Sequence, residues 1–406
     1  MMEGMSAAGA VFGVQVGADA ARVVALSTEL TVLETTQLRY PAGVLDPYAA
    51  LDVTLAAIER TVLACQARGV PVRGLCFAGA GDTLLGTDEA DRPVTPVFTG
   101  ADEGTTQLAA RIRHELGAEL HHMTGVPVHG GSALVRLAWF ATHAPDLLAS
   151  VARWCELKDF VLSRLSGRVL ADTSSASAAG LLDTQLPAWS DTALRVAGVG
   201  ADRLPPLADP NDQLPLSREA AELLGLPRGL PLVVGAAQDA LSAVGLGLAA
   251  PGTASVTLES GPVLAALAGP ASPGDHGRVH WHRVADGLWL VGATGDDEPC
   301  TVIRLDRIGR RLSAAREHLL ATGVEVRLVR TGPAVLRIPM AAEVVATSLG
   351  VPVEIVADDA PAAMGAALLG LRALGVLPSL TAAATLARPW RLVRPDPLLT
   401  PVHDLR

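Results

Sequence analysis

The sequence starts a glycine-punctuated strand and turn twice, and this constrains the fold more than any other feature. Val11 to Leu26 alternates small and apolar residues around Gly13 and Gly17, and Leu232 to Gly235 opens a second such run that leads into the Gly-rich helix Asp239–Leu248. No short-period repeat accompanies them, so the pattern is that of a duplicated fold and not of a solenoid. A chain of 406 residues is long enough for two lobes with buried cores. Half of its residues are hydrophobic and only 18% are charged, which excludes disorder and coiled coil.

Periodicity fills in the first lobe. After Val11–Leu26, Leu30–Leu33 reads as a second strand, giving an opening β-hairpin. Asp46–Arg68 carries apolar residues at helical spacing, and Gly74–Ala78 follows as a buried strand. The order β-β-α-β marks an α/β lobe. Further helices are expected over Thr105–Leu116, Ala133–His143, Pro145–Val151 and Lys158–Leu165, each bounded by Gly, Pro or a polar turn. The Pro- and Asp-rich stretch Gly198–Pro231 holds one short helix and places the lobe boundary near Gly229, dividing the chain into 1–229 and 230–406. Beyond it, strands are expected at Leu232–Gly235, Ala254–Leu258, Leu288–Gly292 and Val353–Val356, with a last helix over Ala360–Leu374.

Composition narrows the partners. A net charge of -10 without a basic patch argues against nucleic acid and for small molecules. The four cysteines stand far apart without a CxxC pair, and Met1–Ala10 has no basic run, so a reducing cytoplasm is expected. The longest apolar stretch, Leu230–Val256, is interrupted by Pro231, Asp239 and Pro251 and is not read as a membrane span. Lys158 is the only lysine, so phosphate chemistry that relies on a lysine has a single candidate. His280 and His282 share a strand face, but no third ligand stands at a natural distance and no metal site is assigned. His121-His122 reads as a solvated helix end, Asp296–Glu298 as a solvated turn, and Asp172, Ser174 and Ser177 as a capped helix or turn. Asp239 interrupts an apolar run at the lobe junction, which favours a functional role.

Several segments resemble one family. Asp172-Thr-Ser-Ser-Ala-Ser-Ala-Ala-Gly-Leu-Leu-Asp183 followed by Trp189 is similar to the D-x-S-x-A-S-x-T-G-L-x-D segment of the FGGY carbohydrate kinases. Thr124-Gly-Val-Pro-Val-His129, Arg136-Leu-Ala-Trp139 and Trp154-Cys-Glu-Leu-Lys158-Asp159 match its T-G-x-P, K-L-x-W and W-x-x-x-K-D/E patterns. Gly235–Gly247 and Ala360–Ala367 resemble its second-lobe segments. The resemblance implies a two-lobed actin-like ATPase (ribonuclease H-like) α/β fold and transfer of a phosphoryl group from ATP, with Mg²⁺, to a small sugar or sugar acid, and it reads Lys158 as a structural position.

The same resemblance exposes departures. Its first phosphate loop, D-x-G-T-T/S, reads Gln15-Val-Gly17-Ala18-Asp19, so a neutral amide replaces the metal-side carboxylate. Its second, G-T-S-G, reads Leu258-Glu259-Ser260-Gly261, with an anion beside the expected phosphate. The base is expected seven residues before Gly245, where Gln238 stands with Asp239 next to it. Gly332 is kept in the adenine-side segment, but Pro333 removes an N–H donor. Gly365 belongs to the nucleotide-side helix. Asp82, Thr83 and Asp102 are the implied sugar-side contacts, although the Trp and Arg that accompany the last are absent. After Gly295 the chain runs almost directly to Arg304–Leu320, so a truncated second lobe is expected. These losses point to a pseudokinase that keeps a sugar- or partner-binding role. The alternative is an active gluconate- or xylulose-type kinase with Asp239 as base and Asp19 or Asp297 holding Mg²⁺. A purely structural subunit is the third reading, and a homodimer is compatible with all of them.

Overall fold

The computed structural model describes residues 9–258, 262–270, 277–294, 305–357 and 359–399. It begins with three strands, β1 (Ala10–Val16), β2 (Ala20–Ser27) and β3 (Val32–Arg39), in an antiparallel meander. The expected single strand Val11–Leu26 is therefore two strands, split where Gly17 N–H donates to Ala20 O across the turn. Helix α1 (Pro47–Ala67) starts at Asp46, whose carboxylate accepts from Ala49 N–H, with Pro47 in the first turn. It leads to β4 (Val72–Gly79), parallel to β1.

An insertion follows, made of β5 (Thr83–Thr87), β6 (Phe98–Thr99), α2 (Glu103–Thr124), α3 (Ala133–His143), α4 (Pro145–Ser150), β7 (Arg153–Cys155), α5 (Leu157–Ser166), β8 (Ala171–Asp172), α6 (Thr173–Ala178), α7 (Asp191–Ala197), β9 (Leu207–Ala208), β10 (Gln213–Pro215) and α8 (Arg218–Leu224). Helix α2 is longer than expected and stops only where Gly125 turns left-handed. Strand β11 (Pro231–Ala237) then pairs in parallel with β4. This run, expected to open the second lobe, instead completes the first sheet, in the order β10-β11-β4-β1-β2-β3. Its continuous apolar sequence suits a strand buried on both faces as well as it suits the start of a new domain.

After α9 (Gln238–Gly245) the plan is repeated. Strands β12 (Thr253–Thr257), β13 (Val263–Ala268), β14 (Val279–Arg283) and β15 (Trp289–Thr294) form an antiparallel group, and α10 (Leu305–Ala321) leads to β16 (Leu328–Thr331), parallel to β12. Helix α11 (Ala341–Leu349), β17 (Val353–Val356), α12 (Pro361–Ala373) and β18 (Pro389–Val393) complete it. Among the described residues this second sheet has seven strands, in the order β14-β15-β13-β12-β16-β17-β18. The expected truncation is thus not visible in the sheet. No helix among the described residues is long and apolar enough to cross a membrane.

The two halves meet through glycine. Helix α12 runs back from the second sheet and lies against β1 and α9 so closely that side chains are excluded. A Cβ on Gly13 would stand 1.8 Å from Ala363 O, one on Gly245 2.0 Å from Pro361 O, and one on Gly365 1.8 Å from Leu241 O. Gly365 is therefore a packing residue at a helix crossing. Around this contact one apolar cluster joins Val11, Cys76, Val233, Leu241, Leu290 and Ala366. Gly365→Ala is expected to lose about 3 kcal/mol of stability in denaturant titration, since backbone must move to admit the methyl group. An unchanged midpoint would show that α9 and α12 can separate freely.

Candidate functional site

Strands β1, β4 and β11 are adjacent and parallel, with Gln15 opposite Ala78 and Ala237 opposite Gly79. Their carboxyl ends therefore open on one edge, the place where α/β sheets bind ligands. Topology thus brings together Gln15 and the turn Gly17–Asp19, the segment Gly81–Asp82, and Gln238–Asp239 at the start of α9.

Gln15 and Gln238 face each other directly. Gln15 Nε2 donates to Gln238 Oε1 at 2.7 Å, and Gln15 is buried. Asp239 is exposed at this edge, yet the surrounding protein still desolvates the carboxyl and, with the neighbouring charge of Asp82, pushes it up to about 6. Burial raises Asp82 as well, against the backbone hydrogen bonds that it accepts. Asp19 points elsewhere: it is exposed and lies 3.4 Å from Arg22 and 4.0 Å from Arg39. Its charge is answered by these two arginines.

The other expected contacts divide. Thr83 is buried, and its hydroxyl accepts from Leu157 N–H at 3.3 Å, so it ties β5 to α5. Asp102 caps α2 through Thr105 N–H and pairs with Arg136 of α3, and together these hold its carboxyl below the usual range. Arg136 also donates to Gly100 O at 2.7 Å, so an arginine still accompanies Asp102, supplied by another helix. Gly17 fits a turn in which a Cβ would stand 2.9 Å from Ala20 O. Gly332 precedes the short 3₁₀ turn Pro333–Arg337. Glu259, Ser260, Gly261 and Asp297 lie outside the described residues.

Lys158 is not available to phosphate. It is fully buried, with Nζ 2.8 Å from both Asp159 Oδ1 and Asp172 Oδ2. Burial opposes its charge, but Asp159, Asp172 and Glu156 outweigh that and raise it above the usual lysine range. Asp172 in turn accepts from Ser175 N–H at 2.7 Å and starts α6, as expected of a capped helix. The role of Glu156 was not legible, although it lies inside the Trp154–Asp159 motif. Its Oε1 accepts from Gly81 N–H at 2.7 Å, beneath the segment that carries Asp82. Burial pushes Glu156 up to about 8, partly offset by Lys158 and reinforced by Asp159.

The histidines also move. His121, expected at a solvated helix end, is buried and donates from Nε2 to Val279 O at 2.6 Å. The rings of His280 and His282 lie 4.7 Å apart, and burial followed by the charges of His129 and His121 pushes His280 down to about 4. Among the described residues no three His, Cys, Asp or Glu side chains are arranged to hold a metal ion. Two surface hollows lie away from this edge, one of about 310 Å³ beside Ala141, Leu148 and Arg203, the other of about 330 Å³ beside Tyr48 and Pro96.

The raised Glu156 makes stability depend on pH. From its ordinary value near 4.5 up to about 8 the folded chain holds a proton that the unfolded chain has lost, so unfolding becomes easier as pH rises through this window. Glu156→Gln keeps an acceptor for Gly81 N–H and removes the titration. Denaturant titrations at pH 5 and pH 8 are expected to differ by roughly 1–3 kcal/mol less in this variant than in the parent. Parallel profiles would show that Glu156 is ionised throughout.

Comparison with known proteins agrees with this architecture. The model of the N-terminal domain of the FGGY family of carbohydrate kinases matches residues 10–245. The gluconokinase of Bacillus subtilis (strain 168) is 25% identical over 289 residues, 70% of this chain but only 56% of the relative. The matched stretch therefore spans a little over half the length of that curated relative. The crystal structure of gluconate kinase from Lactobacillus acidophilus superposes with a TM-score of 0.86 at 15% identity, covering 97% of this chain and 94% of that one. That of a ligand-bound xylulose kinase from the same organism gives 0.85 at 15% identity, covering 96% and 94%. Such coverage of solved two-lobed structures removes the expectation of a truncated second lobe and leaves the actin-like fold. With a family match that runs from β1 to the end of α9, over the same sheet edge that holds Gln15, Asp82 and Gln238, the chain belongs to the FGGY family of carbohydrate kinases.

Proposed function

We propose that this chain binds a small sugar or sugar acid at the carboxyl edge of β1, β4 and β11, and that its own phosphoryl transfer is weak or lost. The hydrogen bond from Gln15 to Gln238 carries the reading. Two carboxylates in these places would repel one another and would need a cation or a shared proton between them. Two amides satisfy each other without either, and an amide cannot take a proton from a hydroxyl. With Asp19 held by Arg22 and Arg39 and Lys158 consumed in the core, the described residues do not fit a Mg²⁺ site, and no transfer step is assigned to them. Asp82 and Asp239 remain as groups that can hydrogen-bond hydroxyls, with Asp102 nearby in the same insertion. The role that follows is that of a cytoplasmic sugar-binding protein, acting through a protein partner or a second copy of itself.

One observation favours a second reading, an active gluconate- or xylulose-type kinase that uses ATP and Mg²⁺. Asp239 stands one residue from the expected base, and a carboxyl near 6 is suited to general-base work at neutral pH.

Calorimetric titration separates the two. Gluconate or xylulose is expected to give heat and thermal stabilisation, Mg-ATP no magnesium-dependent heat, and the mixture no ADP. The double variant Gln15→Asp, Gln238→Asp is expected to gain magnesium-dependent nucleotide binding. Micromolar Mg-ATP affinity strengthened by a sugar, with ADP release that disappears in Asp239→Asn, would overturn the first reading and establish the second.

A further inference from the structure

The amide pair and the sugar-side groups leave one buried hydroxyl unexplained. Ser174 is fully buried in the single turn of α6, which Asp172 and Lys158 fix in place. Its Oγ donates to Arg283 O of β14 at 2.5 Å and accepts from Ala237 N–H at 3.2 Å. Ala237 immediately precedes Gln238 and Asp239, and it leaves α9 without a side-chain cap of its own.

Strand β14 is an edge strand of the second sheet, and its outer backbone groups are taken up by residues from the insertion in the first lobe. Val279 O accepts from His121, Trp281 N–H donates to Gly125 O at 2.8 Å, and Arg283 N–H donates to Ser177 Oγ at 3.2 Å. The first lobe thus covers an edge that would otherwise be open to solvent. Ser177 serves this contact alone, whereas Ser174 serves it and the β11–α9 junction together.

A hydroxyl has one proton to give. While it goes to Arg283 O, the oxygen lone pairs are directed at Ala237 N–H. If β14 withdraws, the proton needs another acceptor and the hydrogen bond to Ala237 loses its alignment. Resting on the reading that the Gln238–Asp239 turn is the ligand site, we propose that Ser174 is a positioning residue that makes the placement of this turn depend on contact between the two lobes.

Hydrogen exchange read by mass spectrometry on the full chain tests this without any ligand. Ser174→Ala is expected to speed exchange roughly tenfold in both 231–245 and 279–283, the size of effect that follows loss of a buried hydrogen bond, while Ser177→Ala speeds only 279–283. In Ser174→Ala the titration midpoint of Asp239, followed by carboxyl NMR, is expected to move, and in Ser177→Ala to stay. If Ser174→Ala does not fold, Ser174→Cys fills the volume with a weaker partner and is expected to give the same pattern at smaller amplitude. Equal exchange of 231–245 in the Ser174 and Ser177 variants, or no change in either, would overturn the proposal. Sugar protection that survives Asp239→Asn would instead remove the reading of the site and leave the exchange result standing.

Discussion

The ammonium of Lys158 is the interaction on which the rest of this site depends. A fully buried charge is costly unless it is paired, and here it is paired twice, with Asp159 and with Asp172. Each partner does further work. Asp159 lies in the first turn of α5 beside Glu156, which holds Gly81; Asp172 starts α6, which presents Ser174 and Ser177 to the second sheet. The only lysine of the sequence thereby organises the Gly81–Asp82 segment, the start of α9 and the contact between the lobes.

The residues that carry the family resemblance and those that depart from it occupy different places in this chain. The segments that resemble the family are those that build the scaffold: the Lys158–Asp172 ion pair, the α6 turn, and the glycines at which α9 and α12 cross. The positions that depart from it, Gln15 at the end of β1 and Gln238 at the start of α9, contact one another across the end of β4. Neutralising either carboxylate alone would leave the other facing an amide; neutralising both produces a hydrogen bond that needs no metal. The two substitutions therefore form one structural unit, although 223 residues separate them.

Much of the fold was legible because it rests on local signals. The existence of α1, the limits of α3 and β17, and the α/β character of the first lobe follow from side-chain period, proline and glycine; the splitting of Val11–Leu26 into two strands of a meander did not. Where the reading failed, the deciding contact was distant in sequence. A buried apolar run such as Pro231–Ala237 carries no mark of which sheet it joins, and β4 claimed it across a long insertion. The close crossing of Gly365 with Leu241 likewise joins segments more than a hundred residues apart. Thr83 begins β5 and is buried, whereas Asp82 stands in the bend just before the strand and is half-buried, a difference that no local pattern marks.

The sequence by itself determined the family, the duplicated α/β plan and the identity of the groups available for chemistry, because these depend on residue type and short spacing. Only the tertiary structure decided that Gln15 meets Gln238, that Asp19 is answered by arginines, that Glu156 lies beneath Asp82, and that Ser174 joins both lobes. Apart from the Asp19–Arg22 pair, whose members are three residues apart, each of these is a contact between segments far apart along the chain, and no local pattern reaches across such a separation.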